Sequence, residues 1–182
     1  MTPAFKEWSI IVEALGAGEQ ILILRKGGIA EGPGGFQPRT ARFWLFPTRF
    51  HQQQEKTKPA AAIRNRVFSE ADHSGAPVTL RYFAELVHSV FLTDWEAIAR
   101  LDPCHFWTEP AVRERFEWSQ PAGVHVLIVR VYKIDTPIPL SPTPEMSGCK
   151  SWIEVPCAFD AQRFSPVVPD DAFRARIAAL SL

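Results

Sequence analysis

Residues 124–134, VHVLIVRVYKI, constrain the fold more than any other segment of the chain. A β-branched run with apolar side chains on both faces is typical of a central strand in a sheet that is covered on both sides. The segment ARFWLFP at 41–47 has the same character. A small, strongly bent sheet or a barrel is the natural way to bury strands of this kind.

The other predicted elements do not alternate regularly between strand and helix. The spacing of Phe5, Trp8, Val12 and Leu15 predicts a helix over 3–15, begun by Thr2 and Pro3. Further strands are predicted at 20–25, 77–91 and 150–156, and further helices at 60–68, 93–101, 108–118 and from 169 onward. Segment 77–91 also fits a helical spacing, but its β-branched and aromatic content favours a strand. This order predicts an α+β fold: a small, strongly bent mixed sheet or a β-barrel with peripheral helices.

The composition is that of an ordinary globular protein, and it predicts one domain over residues 1–182. The chain is 46% hydrophobic and 22% charged, and it is long enough to fold without a disulfide or a metal. No apolar run reaches the length of a membrane helix, and the first residues lack the pattern of a signal peptide. Three cysteines, at 104, 149 and 157, are an odd number, so a cytoplasmic setting is expected.

The net charge is zero, but the charges are unevenly distributed. Residues 20–68 carry nine Lys or Arg and two Asp or Glu, a balance of +7, whereas residues 69–182 carry ten and fifteen, a balance of −5. A basic segment of this kind predicts an anionic partner, although a basic face that is merely solvated remains the alternative.

Within that segment, Arg25-Lys26-Gly27-Gly28 follows a predicted buried strand. Glycine lets backbone N–H groups approach an anion closely, and two cations stand beside them. The phosphate-binding patterns GxxxxGK[ST] and GxGxxG are both absent. The four residues are therefore a candidate anion site, and the alternative is a turn with exposed charges.

Basic and aromatic residues alternate just after the glycines, notably at Arg42, Trp44 and Phe46. Nucleic-acid-binding surfaces use this mixture, with cations on phosphates and rings stacked on bases. Phe43 and Leu45 are predicted to be core residues. Trp44 and Phe46 lie on the opposite face of the same strand and stay candidates for stacking.

Signatures of catalysis and of metal binding are missing. No CxxC or HxxxH pair, no GxSxG and no acidic-x-Lys pattern occurs in the chain. The sequence therefore predicts no catalytic residue, no cofactor and no metal. His51, His105 and Glu109 remain the candidates for acid–base chemistry if the protein is an enzyme.

Several segments resemble an uncharacterised bacterial family that is known only as a domain of unknown function. They are Lys6-Glu7-Trp8, Ala14-Leu15, Gly18-x-Gln20, Leu24-Arg25-Lys26-Gly27-Gly28-Ile29-x-Glu31, Phe43-Trp44-Leu45-Phe46-Pro47-Thr48 and His51-Gln52. Members of that family are sometimes associated with Mrr-type restriction endonuclease domains. The resemblance therefore implies a role in restriction–modification or phage defence, with an endonuclease component as a partner.

The chain also resembles, more distantly, the PUA-like folds that include the ASCH and EVE groups. In those folds a helix leads into a strand with basic residues at its end, and a small β-barrel binds RNA or modified DNA bases. The resemblance implies a PUA-like β-barrel, with Arg25 and Lys26 at the end of such a strand.

The leading hypothesis is a non-catalytic module that binds DNA or RNA. Arg25, Lys26, Arg42 and Lys150 are expected to contact phosphate, and Trp44 or Trp152 to stack on a base. Gly27, Gly28 and His51 complete the predicted site. The alternatives are an enzyme acting on a phosphate-bearing or nucleotide substrate, and a protein-interaction subunit that contacts no nucleic acid.

Overall fold

The computed structural model of the chain describes residues 1–26, 39–49, 53, 55–58, 77–118, 120–148, 150–159 and 163–182. Within these residues seven strands form one sheet, and four α-helices accompany it. The strands are β1 (Thr2–Trp8), β2 (Leu22–Arg25), β3 (Arg42–Thr48), β4 (Val78–Leu92), β5 (Val124–Leu140), β6 (Trp152–Val155) and β7 (Phe164–Pro166). The helices are α1 (Ser9–Gly16), α2 (Trp95–Ala99), α3 (Glu109–Trp118) and α4 (Asp170–Leu180), with short 3-10 helices at Asp102–Cys104 and Pro144–Met146. The predicted α+β class is confirmed.

The sheet is mixed and open. Its strands follow the order β2-β5-β4-β3-β1-β6, and β7 pairs separately with β5. Only the β1–β3 pair is parallel among these ladders. In the described part of the chain, β2 and β6 share no ladder, so the sheet does not close into a barrel. The two outer strands nevertheless come near each other, because Arg25 Nη2 donates a hydrogen bond of 2.7 Å to Ser151 Oγ, just before β6.

Strand β3 has apolar side chains on both faces because two hydrophobic clusters cover it. Phe43 and Leu45 belong to the larger cluster, with Phe5 and much of β2 and β5. Trp44 and Phe46 belong to a second cluster, which includes Leu80, Met146 and Val155. The sequence argument that such strands must be covered on both sides is therefore correct.

The N-terminal prediction was wrong for its first half. Residues 2–8 form a strand, and the helix begins only at Ser9. Strand β1 is hydrogen-bonded to β3 on one edge and to β6 on the other. This pairing outweighs the helical spacing of the apolar residues. Phe5 loses no burial in the strand, because its ring packs on the Phe43 ring with 5.6 Å between centres. Only Val12 and Leu15 of the predicted stripe lie on α1.

The other described segments agree better with the sequence. Segment 77–91 is a strand, as the β-branched residues indicate, and it pairs with both β3 and β5. Strand β5 runs on to Leu140, farther than its apolar run suggests. The predicted helix starts near residues 94 and 109 are confirmed, and Asp94 caps α2 by accepting from the Glu96 N–H. The short strand β7 was not predicted, and the helix predicted at 60–68 lies outside the described residues.

Candidate anion-binding cleft

Basic side chains from separate parts of the chain converge on one cleft of about 330 Å³. Strands β1, β2 and β3 contribute Lys6, Trp8, Arg25 and Thr48 to its lining. The other lining residues are Lys26, Lys56, Glu114, Arg115, Gly148 and Lys150. Six of the ten are cations and one is a carboxylate, so the cleft carries a strong positive charge and attracts anions.

Arg25 is held in place at the wall of this cleft. Its Nη2 donates to Ser151 Oγ, and its guanidinium carbon lies 4.9 Å from the centre of the Phe5 ring. Its Nη1 lies 3.8 Å from Glu7 Oε2. A guanidinium with these three neighbours keeps its planar fork in one orientation, which suits the recognition of an oxyanion.

Arg115, on α3, is a second fixed guanidinium in the lining. Its Nη1 donates a 2.8 Å hydrogen bond to the Ala111 carbonyl, and its guanidinium carbon lies 3.6 Å from the centre of the Trp107 ring. Burial lowers the pKa of Arg115 to about 10. The side chain therefore stays protonated at neutral pH and contributes a full positive charge.

The lysines of the lining are held in different ways. Lys6 Nζ donates to the Met146 carbonyl at 3.0 Å and to the Gly148 carbonyl at 2.6 Å. Lys56 forms an ion pair with Glu114, and its hydrogen bond lowers the pKa of that carboxyl. Lys26 and Lys150 are exposed at the rim, where ammonium groups suit contacts with phosphates, and Lys26 Nζ lies 4.0 Å from the centre of the Trp118 ring.

Close to Arg25 lies Glu7, the one carboxylate that is buried among the described residues. It is 1% exposed, and its Oε1 accepts the Trp8 N–H at 2.7 Å. Its Oε2 has no hydrogen-bond partner in the described part of the chain, apart from the 3.8 Å approach of Arg25. Burial raises the pKa of Glu7, and the nearby Arg25, the Trp8 N–H and Arg115 oppose that rise. Glu7 is thus buried in a costly position, 3.8 Å from Arg25 Nη1 and within electrostatic reach of Arg115.

We expect Glu7→Gln to raise the free energy of unfolding at pH 7.5. The pKa of Glu7 in the folded state is above the ordinary value of 4.5, so ionisation of this group costs stability as the pH rises through that pKa. Glutamine keeps the shape and an acceptor for the Trp8 N–H but does not ionise. Urea unfolding between pH 4.5 and 7.5 should show the difference between variant and parent widen with pH. A variant less stable than the parent at pH 7.5 would contradict this expectation.

The cleft gathers three of the residues that the sequence analysis placed in an anion site: Arg25, Lys26 and Lys150. They come from positions 125 residues apart, and the fold brings them together. Gly27, Gly28 and His51 lie outside the described residues, so their predicted place in the site stays a prediction.

Three other residues of the predicted site do not line the cleft. Trp44 is 0% exposed and donates from Nε1 to the Cys157 carbonyl, because the second cluster covers that face of β3. Trp152 is 9% exposed, with its ring packed against Phe5 and Phe43. Neither ring presents a face for stacking in this structure. Arg42 is paired with Glu85 and does not line the cleft.

Sequence reasoning missed Lys6, Trp8, Lys56 and Arg115. The helix predicted over 3–15 includes Lys6 and Trp8, whereas alternation along a strand places them on a common face with Ala4. Trp8 is the partly exposed tryptophan of the cleft, and its ring packs on Trp107 with 4.6 Å between centres. Arg115 carries no local signal, because only the docking of α3 places it beside Arg25.

The residues of the enzyme alternative do not meet at the cleft. His105 is buried, and its Nδ1 accepts the Trp107 N–H. Glu109 is exposed and pairs with Arg113 within α3. Neither lines the cleft, and His51 is outside the described residues. Where the structure is described, no cluster of three His, Cys, Asp or Glu could hold a metal.

The fold and the cleft together define a mixed α+β protein with an open seven-stranded sheet and a basic, ligand-sized cleft at one side. Among its described helices, none has the length and apolar character needed to cross a membrane. The chain belongs to the family described as "Domain of unknown function (DUF1802)", whose model matches residues 4–179. The resemblance to an uncharacterised family is thereby confirmed. None of the curated proteins matches this chain.

The fold is similar to that of an ASCH protein from Zymomonas mobilis, in three crystal structures. One single-residue variant is 16% identical, with 75% of this chain and 72% of that chain covered and a TM-score of 0.46. A second variant is 17% identical, with 75% and 73% covered and a TM-score of 0.45. The unsubstituted protein is 16% identical, with 70% and 66% covered and a TM-score of 0.43.

Proposed function

We propose that this protein is a nucleic-acid-binding module that contacts phosphate groups through the basic cleft. The observation that carries the proposal is the convergence of six cations from separate segments on one cleft whose lining has a single carboxylate. Phosphates are the anions that clustered lysines and arginines bind in nucleic acids, and such contacts dominate the affinity. The partly exposed Trp8 supplies an aromatic surface within the same lining.

The cations of the cleft fall into two groups, and this arrangement supports the proposal of phosphate binding. Arg25 and Arg115 are held by neighbouring groups inside the cleft, whereas Lys26 and Lys150 stand exposed at its rim. Fixed guanidinium groups orient a phosphate through paired hydrogen bonds, and exposed ammonium groups add attraction without a strict geometry.

The test is a binding series with single- and double-stranded DNA and RNA at several salt concentrations. We expect measurable binding at low salt that weakens as salt rises, with a logarithmic slope of about −0.7 to −0.9 for each phosphate contacted. The double variant Arg25→Ala plus Lys26→Ala should bind at least about tenfold more weakly, and the size of its salt slope should fall by about two.

A matched control is the double variant Lys133→Ala plus Arg174→Ala. Both residues are exposed cations that do not line the cleft, and the change in net charge is the same. We expect its affinity to stay within about threefold of the parent. Thermal unfolding of each variant checks that the fold is intact. Absence of binding at low salt, or equal losses in the two double variants, would refute the proposal.

The association with a restriction endonuclease component, and with it a role in phage defence, stays a prediction of the family resemblance. Co-purification with an Mrr-type protein encoded nearby would support this context, and loss of phage resistance on deletion would be the matching phenotype.

A further inference from the structure

We infer that the cleft takes a phosphate monoester carried by one nucleotide, either free or at the end of a strand, in preference to an internal phosphodiester. This inference rests on the proposed function and narrows it to a ligand class. Three features of the cleft carry it: its size, its charge balance and the rigidity of its two arginines.

The size of the cleft suits one nucleotide. Its volume of about 330 Å³ lies at the lower end of the roughly 300–1,000 Å³ found for small-ligand sites. Proteins that bind a continuous single strand use instead a groove that tracks roughly 4–16 nucleotides of backbone. A cleft of this size accommodates a terminal residue more readily than a strand that must both enter and leave.

The charge balance exceeds what one diester supplies. Six cations line the cleft, and Glu114 is the one carboxylate in its lining. The lining therefore carries a net charge of +5 around the volume of a single nucleotide. An internal phosphodiester brings one negative charge, whereas a monoester brings about 1.5 to 2 near pH 7. A monoester therefore neutralises more of the positive charge of the cleft than a diester does.

The two arginines present guanidinium groups of fixed orientation to that anion. Arg25 is held by Ser151, Phe5 and Glu7, and Arg115 is held by Ala111 and Trp107. A monoester offers three terminal oxygens, one more than a diester, so it can accept paired hydrogen bonds from two guanidinium groups at once. Glu7 Oε2, which lies 3.8 Å from Arg25 Nη1, contributes to the fixed orientation of that guanidinium.

The experiment compares one oligonucleotide sequence in three forms: with a 5′-phosphate, with a 3′-phosphate, and with hydroxyl groups at both ends. Each carries an internal fluorophore, and binding to the full chain is followed by anisotropy. We expect at least one phosphorylated form to bind about tenfold or more tightly than the hydroxyl form, as one extra charge-assisted contact would give. Competition with a nucleoside monophosphate then separates the two sources. Displacement indicates a free nucleotide as a ligand, and its absence indicates a strand end.

Variants that keep the charge but remove the fork test the role of the arginines. Arg25→Lys and Arg115→Lys should each reduce the preference for the phosphorylated form to within about threefold. Arg174→Lys, on the exposed face of α4 and outside the cleft, should leave the preference unchanged. Because Arg115 packs on Trp107, its variant is judged only if thermal unfolding shows a folded protein, and Arg25→Lys provides the independent test.

Equal binding of all three forms, with salt dependence retained, would overturn this inference and leave the proposed function standing. A preference that survives both arginine variants would also overturn it. If no oligonucleotide binds at low salt, the proposed function fails as well.

Discussion

Acidification from pH 6.5 to pH 4 is expected to lower the free energy of unfolding through His105 by about 3 kcal/mol. His105 is 4% exposed, and its Nδ1 accepts the Trp107 N–H at 3.2 Å. Burial, with the positive charge of Lys58 as the next cause, lowers the pKa of the imidazole from 6.5 to about 4. A proton on Nδ1 would also remove the acceptor for the Trp107 N–H.

The sign follows from the two pKa values. The folded state takes up the proton at about pH 4, whereas the unfolded chain takes it up at about pH 6.5. As the pH falls between these values, the unfolded state binds more protons and is favoured. The contribution of His105 to stability is therefore complete above pH 6.5 and is lost as the pH falls towards 4.

Urea unfolding at intervals between pH 7.5 and 4 measures this loss, and His105→Gln is the control. Glutamine offers an acceptor for the Trp107 N–H but does not titrate. Subtraction of the two pH profiles removes the contributions of carboxylates such as Glu7, which titrate in both proteins. Parallel profiles for the parent and the variant would show that His105 is not the source of acid sensitivity.

Trp44→Ala is expected to lower the free energy of unfolding by about 3–5 kcal/mol. The ring is 0% exposed, stacks on Phe159 at 5.2 Å and meets Phe83 edge-on at 5.8 Å. Its Nε1 donates a 3.0 Å hydrogen bond to the Cys157 carbonyl. Alanine would leave a large cavity between β3 and the segment after β6. The free energy of unfolding of a folded protein is typically only about 5–15 kcal/mol, so this single change would remove a large part of it.

The milder variant Trp44→Phe separates packing from binding. It keeps an aromatic ring and loses the hydrogen bond to Cys157, so we expect a folded protein with reduced stability and unchanged affinity for nucleic acid. Chemical unfolding and the anisotropy assay measure the two quantities. A folded Trp44→Phe protein with an affinity lowered about tenfold would restore the stacking role that the sequence suggested for this residue.

Much of the sheet could be predicted from local sequence. The runs at 41–47 and 124–134 are short, apolar on both faces and rich in aromatic or β-branched residues, which favours covered strands over helices. Residues 2–8 could not be assigned in this way. The spacing of Phe5 and Trp8 fits both a helix and a strand. Residues 2–8 form a strand because β3 and β6, more than thirty residues away in the chain, supply hydrogen bonds to both of its edges.

The residues of the candidate site also fall into those that local sequence indicates and those that only the structure shows. Arg25 and Lys26 were recognisable because two cations follow a buried strand, which brings them to the surface at its end. Alternation along β3 places Trp44 opposite Phe43, but the local pattern does not reveal that a second cluster covers that face of the strand. Arg115 and Lys56 are ordinary surface cations by sequence. The structure alone shows that they share a cleft with Arg25.

The sequence by itself thus determined the α+β class, the covered central strands and the basic segment that begins near Arg25, since each follows from local burial and local charge. The tertiary structure alone decided that β1 is a strand, that the sheet stays open, and that Lys6, Arg115 and Lys150 join Arg25 and Lys26 around one cleft. The physical reason is that charges act over a few ångströms in space, and the chain separations of these residues carry no record of that distance.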